Sequence, residues 1–151
     1  MVANAGIRVP GKPLLEMPEE DFDKIMSVNC KGTLYCYRAA ARQMIKQGPE
    51  RGGRIIGASS TFGLIDSSRR ANPIQHFQYG ITVNAYAPGP INTPLAASTG
   101  QVFIQKMIQQ VPLKRMGQPE EVAALVSFIA SPGAAYITGQ TLSVDGGQIM
   151  S

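Results

Sequence analysis

Gly80-Ile81-Thr82-Val83-Asn84-Ala85-Tyr86-Ala87-Pro88-Gly89-Pro90-Ile91-Asn92-Thr93-Pro94 decides how the rest of the chain is read. Ile81 to Ala85 reads as a buried strand that runs directly into a Pro88-Gly89-Pro90 turn. Gly89 has access to backbone angles closed to other residues and lets another group approach the main chain closely. Pro88 and Pro90 fix their own φ angles and remove two donors. In open α/β sheets, ligands sit at the carboxyl ends of the strands. The sequence therefore predicts a small-molecule site near Pro88–Thr93.

Working outward, the segments on either side alternate between strand and helix. Met1-Val2-Ala3 resembles the end of a strand, and Asn4-Ala5-Gly6 a turn after it. Residues 7–17 hold Pro10, Gly11 and Pro13 and read as a loop. Pro18-Glu19-Glu20-Asp21 opens a helix, because proline suits the first turn and acids suit its positive end. Apolar residues from Phe22 to Ile45 continue it at helical spacing until Gly48-Pro49. Asn29 and Gly32, both poor helix formers, fall in its middle. Residues 53–58 form a short buried strand followed by Ser59 and Ser60. Residues 64–79 follow neither period.

After the Pro-Gly turn, Gln101–Val111 reads as an amphipathic helix with Val102, Met107, Ile108 and Val111 on its apolar face. Pro119 starts another helix that runs to about Ala130. Thr141–Val144 is a last strand before Asp145-Gly146-Gly147. This alternation predicts a parallel α/β sheet.

The chain has 151 residues, enough for one domain with a core. Apolar residues make up 44% and charged residues 16%, a globular composition. The net charge of +4 comes from 14 basic and 10 acidic residues that lie scattered, with no basic stripe interleaved with aromatics. Nucleic acid is therefore not an expected partner. The longest uncharged apolar run, Val122–Ala130, is too short to cross a bilayer, and no signal peptide is visible, so a cytoplasmic protein is expected. Cys30 and Cys36 are six apart in the first helix, about 9 Å of rise and beyond disulfide reach. They read as packing residues. No His/Asp cluster accompanies them, and no metal is expected. His76 is the lone histidine and reads as a solvated loop residue.

Asn4-Ala5-Gly6, Asn29 in mid-helix, Ser60 with Gly63 three residues on, Ile81-Thr82-Val83-Asn84, Pro88-Gly89-Pro90-Ile91-Asn92-Thr93, and Thr138-Gly139-Gln140 through Asp145-Gly146-Gly147 occur in one order. In that order and near that spacing, they resemble the C-terminal part of a short-chain dehydrogenase/reductase. The resemblance covers the chain except residues 64–79. Gly52-Gly53-Arg54-Ile55-Ile56, Tyr79-Gly80-Ile81-Thr82-Val83-Asn84 and Leu113-Lys114-Arg115-Met116 look most like acetoin (diacetyl) reductases, also called butanediol dehydrogenases. Similar stretches occur in 3-oxoacyl carrier-protein reductases.

The resemblance implies a Rossmann-like, doubly wound parallel sheet, here partial and lacking its first strands. It also implies NAD or NADP as cofactor and a small carbonyl or alcohol substrate. A homo-oligomer, dimer or tetramer, is the family habit. In the family a Ser binds the substrate oxygen, a Tyr moves the proton, and a Lys lowers that Tyr's pKa. An Asn supports a water chain behind the Lys. By position, Ser60 matches the Ser and Asn29 the Asn. Asn4-Ala5-Gly6 matches the turn beside the adenosine ribose. Thr93 matches the group that bonds the nicotinamide carboxamide, with Pro88, Gly89 and Ile91 flanking the ring. Asp145-Gly146-Gly147 is expected to be structural.

Two family features have no match. No Gly-x-x-x-Gly-x-Gly follows a strand, and the chain begins where the family's fourth strand ends. The Tyr-x-x-x-Lys pair should sit about 13 residues after Ser60. No Tyr lies between Ser60 and Tyr79, and no Lys between Lys46 and Lys106. Parallel strands 53–58 and 81–86 need a crossover, usually a helix of a dozen or more residues. Residues 64–79 offer no apolar face for one. The expectation is a single truncated domain, residues 1–151, in which an atypical loop at 64–79 replaces the catalytic helix. One sheet face should then be bare and the chain only marginally stable.

Overall fold

The computed structural model describes residues 1–9, 13–61 and 79–149. Among them, four parallel strands form one sheet in the order β1-β2-β3-β4. These are β1 (Val2–Ala3), β2 (Gly53–Ala58), β3 (Ile81–Pro88) and β4 (Thr141–Val144). The register pairs Val2 with Ile56, Gly53 with Ile81, and Pro88 with Val144. All four carboxyl ends therefore lie along one edge. The crossover from β1 to β2 is helical: α1 (Glu19–Ile25), a π-helical segment (Met26–Gly32) and α2 (Thr33–Gln47). From β3 to β4 the chain passes through α3 (Pro94–Ala97), α4 (Gln101–Gln110) and α5 (Pro119–Ala130).

The strand period of two sends alternate residues to opposite faces. On one face, Ile55 and Ile81 pack with Ala41 of α2, ringed by Tyr37, Met44 and Val83. On the other, Ile56 and Tyr86 pack with Ile129 of α5, ringed by Val122, Leu125 and Leu142. Among the described residues a helix packs on each face, as in a doubly wound fold, so the expected bare face is found only in part: the α2 side is covered at β2 and the start of β3 and open at β4. The β2 residues facing α2 are Gly53, Ile55 and Gly57. A Cβ on Gly53 would run into the Met44 thioether, and one on Gly57 into the Tyr37 hydroxyl. At β4, the positions alternating with half-buried Leu142 and Val144 are exposed, Thr141 and Ser143.

Several expectations need correction. The long helix is continuous but carries a π-helical turn where Asn29 and Gly32 interrupt good helix formers. Cys30 and Cys36 are both exposed, because their positions lie off the face of the helix that meets the sheet. Val102 is 71% exposed and is not part of α4's buried face, whereas Val111, just past the helix, is fully buried. The loop at 7–17 contains a short 3-10 turn at Leu14–Glu16. Strand β3 runs on to Pro88, so the turn begins one residue later than the proline suggests. The atypical segment 64–79 lies outside the described residues except for Tyr79. Among the described residues no helix is long and apolar enough to cross a membrane.

Helix α5 is tied down at its start by one carboxylate. Glu121 accepts from the Gln118 backbone N–H at 2.7 Å and from both Arg115 guanidinium nitrogens at 2.6 and 2.7 Å. Those bonds, from Arg115 first and then the Gln118 N–H, lower its pKa from 4.5 to about 2. A carboxyl depressed on folding contributes stability above its unfolded value, and that contribution disappears as pH falls through its folded value. The gap in urea midpoint between wild type and Glu121→Gln is expected to be constant above pH about 4.5 and to close towards pH about 2. Both side chains face solvent, so salt should narrow it too. A gap unchanged from neutral pH down to about 2 would contradict this.

Candidate functional site

The carboxyl edge of the sheet collects the sequence-matched residues. Asn4-Ala5-Gly6 leaves β1 and is exposed throughout. Ser59 and Ser60 follow β2, with the Ser59 N–H donating to the Tyr86 carbonyl at 2.8 Å. Ser60 is half-buried at that edge, and Thr61 beyond it is buried with its hydroxyl 3.5 Å from Gln148 Oε1. Pro88 and Gly89 leave β3. Tyr79, by contrast, packs beside Ile81 at the amino end. The length of the strands, on the order of 20 Å, separates it from Ser60.

Asn29 reaches this edge through Ile7. Its Oδ1 accepts from the Ile7 N–H and its Nδ2 donates to the Ile7 carbonyl, both at 2.9 Å. The Thr33 hydroxyl donates to the Asn29 carbonyl at 2.9 Å, one of the π segment's displaced backbone acceptors. Asn29 therefore fixes the chain just past Gly6. On the other side of that turn the Tyr86 hydroxyl donates to Asn4 Oδ1. Tyr86 thus joins the candidate edge and was not among the residues to which the sequence pointed. Its alternation made it one more sheet residue, and nothing local marks the partner of its hydroxyl.

The Pro88-Gly89-Pro90 turn holds its shape through β4 and the loop after α4. The Gly89 N–H donates to the Val144 carbonyl at 3.0 Å. Of the two reasons the sequence offered for glycine there, close approach holds and unusual backbone angles do not. Gly89 does not adopt a positive φ; a Cβ on it would lie 2.9 Å from Asp145 Cα and Cβ. The close neighbour is thus another stretch of backbone. Asp145 is in turn fixed, accepting from the Gly147 N–H at 3.0 Å and the Ile149 N–H at 2.9 Å. Further on, Pro90 and Asn92 exchange backbone bonds with Gly117 at 3.0 and 2.9 Å, which holds Ile91 in an isolated bridge. A cavity of about 280 Å³ opens there between Pro90, Ile91, Leu113, Arg115 and Asp145.

Thr93 is the N-cap of α3, accepting from the Ala96 N–H at 3.2 Å. Its own O–H has only a long contact, 3.4 Å, to the Ile91 carbonyl. A hydroxyl has one donor and two acceptor sites, so the cap leaves Thr93 capacity for another partner. Burial pushes the phenols of Tyr37 and Tyr86 up from 10.0, away from the range of a base near neutral pH.

Comparison with known proteins agrees with this architecture. Residues 1–72 match the family described as short chain dehydrogenase, and residues 63–148 the family described as Enoyl-(Acyl carrier protein) reductase. A short-chain dehydrogenase/reductase of Armillaria gallica is 41% identical over 97% of this chain and 64% of its own length. A 3-oxoacyl-[acyl-carrier-protein] reductase of Synechocystis is 38% identical over 99% and 64%. The crystal structure of a short-chain type dehydrogenase/reductase from Mycobacterium marinum superposes with a TM-score of 0.86 at 31% identity, covering 99% of this chain and 64% of that one. The chain thus spans less than two thirds of these relatives' length. The Armillaria alignment runs over 170 positions, more than the 151 residues available, so part of the relative inside the aligned span faces nothing here. With the sheet order, the edge residues and these matches in agreement, the chain belongs to the short-chain dehydrogenase/reductase family.

Proposed function

We propose that this chain is the nicotinamide side of an NAD- or NADP-dependent oxidoreductase that interconverts a small ketone or diketone with its alcohol, and that its proton-transfer step is impaired. The observation that carries the reading is the gathering of Asn4–Gly6, Ser60 and Pro88–Thr93 on the carboxyl edge of one parallel sheet. The exposed Asn4-Ala5-Gly6 turn and the residual capacity of Thr93 fit a dinucleotide laid along that edge. The bound cofactor would supply the hydride chemistry. The chain's own Ser60 would hold the substrate oxygen, Thr93 the carboxamide, and Asn29 the turn after β1. The likeness of 52–56, 79–84 and 113–116 to acetoin (diacetyl) reductases favours a small diketone. Relatives named 3-oxoacyl-[acyl-carrier-protein] reductases make an acyl-chain ketone the competing substrate.

Impairment follows from the sequence between Ser60 and β3, which holds no Tyr-x-x-x-Lys pair. The positions of the Armillaria relative that face no residue fit a deletion within the chain, at a place the alignment length alone does not fix. A second reading, a non-catalytic chain that associates with full-length subunits, draws on the exposed Phe22, Met26, Leu34 and Tyr35 along the first helical crossover.

Titrating ¹⁵N-labelled chain with millimolar NADH or NADPH tests the first reading. Shifts are expected at Asn4–Gly6, Ser60, Gly89, Ile91 and Thr93, and not at Lys46 or Gln47 on the far end of α2. No response, or shifts centred elsewhere, would overturn it. Silence towards dinucleotide together with co-elution on a full-length homologue would favour the second reading.

A further inference from the structure

We propose that Tyr86 is a positioning residue for the dinucleotide, holding Asn4 so that the turn after β1 keeps its binding shape; this rests on the function proposed above. Tyr86 is 3% exposed and its ring is locked in the core with Ile56 and Ile129. Its hydroxyl therefore has little freedom, and it donates to Asn4 Oδ1 on the neighbouring exposed turn. A phenol donating to Oδ1 fixes which way the Asn4 amide faces, since only the oxygen can accept. The Nδ2 donor is thereby turned away from Tyr86. A buried aromatic anchor thus sets the orientation of an exposed amide.

The turn is held from both sides of the sheet. Asn29 grips Ile7 from the α2 side with two bonds of 2.9 Å, and Tyr86 grips Asn4 from the α5 side. Between those grips, Ala5 and Gly6 make no described bond of their own. Tyr86 also lies two residues before Pro88, so one side chain links the turn after β1 to the turn after β3. A group pre-set in its binding geometry spares the ligand the cost of ordering it.

The test compares wild type, Tyr86→Phe, Asn4→Ala, Asn4→Asp and the Tyr86→Phe/Asn4→Ala double variant, each ¹⁵N-labelled. Without ligand, Tyr86→Phe is expected to shift the Asn4 side-chain amide and the Ala5 and Gly6 backbone signals. With NADH or NADPH it should weaken binding by about five- to tenfold, the value of one lost hydrogen bond. Asn4→Ala should weaken binding at least as much, and the double variant no more than Asn4→Ala, because the phenol acts only through Asn4. Asn4→Asp keeps an acceptor for the phenol and should retain the wild-type Ala5 and Gly6 signals. Unchanged Ala5 and Gly6 signals in Tyr86→Phe, or binding losses that add in the double variant, would overturn the proposal. Should Tyr86→Phe fail to fold, the wild-type chain decides it: an NMR cross-peak between the Tyr86 ring and the Asn4 side-chain amide is expected, and its absence would overturn the proposal. Wild-type chain that binds neither dinucleotide sinks this and the proposed function together. Wild type that binds while Tyr86→Phe binds equally well sinks this alone.

Discussion

Purified chain given NADH or NADPH and diacetyl is expected to turn over about 10²–10⁴-fold more slowly than a family member with an intact Tyr-x-x-x-Lys pair, the usual contribution of a positioned acid/base. Absorbance loss at the nicotinamide band measures it. A free tyrosine titrates near pH 10 and must be tuned down to serve near neutral pH. The five tyrosines of the chain offer no substitute. Tyr79 sits at the wrong end of the sheet. Tyr37 and Tyr86 are pushed up by burial, the wrong direction. Tyr35 and Tyr136 are exposed, at 60% and 103%. Turnover at the rate of an intact relative would overturn the claim of impairment and require another proton carrier.

Replacing Ile55 with Ala should cost about 2–5 kcal/mol, the range for truncating a buried aliphatic side chain. Ile55 is 1% exposed and sits between Ala41 and Ile81, the centre of the layer under α2. Set against a typical domain stability of about 5–15 kcal/mol, that loss could leave much of the chain unfolded. Urea unfolding followed by circular dichroism measures it, with Leu15→Ala as control. Leu15 is 98% exposed and its truncation should move stability by less than about 0.5 kcal/mol. A loss below about 1 kcal/mol at Ile55 would mean that this layer can collapse around the gap and is not the rigid core described.

Strand identity was legible from two patterns: a short, mostly apolar run in residues 53–58, and alternation of polar and apolar residues in Thr141–Val144. The helix from Pro119 to Ala130 matches α5 because proline and two acids mark its start. What escaped the sequence depends on partners distant in the chain. The π turn at Asn29 answers to Ile7, 22 residues away, and the role of Tyr86 to Asn4, 82 residues away. The need for glycine at 89 and the close approach behind it were legible, but not the neighbour, since Asp145 lies on another strand's continuation. Exposure of Cys30 and Cys36 was misread because an apolar residue type says nothing about which helix face meets the sheet. The gathering of Asn4–Gly6, Ser60 and Pro88–Thr93 on one edge was readable from strand ends alone, as parallel sheets dictate.

The two glycines flanking Ile55 on β2 act as a spacer gauge. With Met44 and Tyr37 resting directly on Gly53 and Gly57, the separation of helix and sheet is fixed by bare backbone on one side and two long side chains on the other. Alanine at either glycine would press on Met44 or Tyr37, and whatever strain those side chains do not absorb by swinging aside passes to α2, and with it to the π segment and Asn29. The alignment of an amide with a loop at the far edge of the sheet is therefore calibrated by residues that never touch either. Drift at those two positions would detune the site without altering a single residue in it.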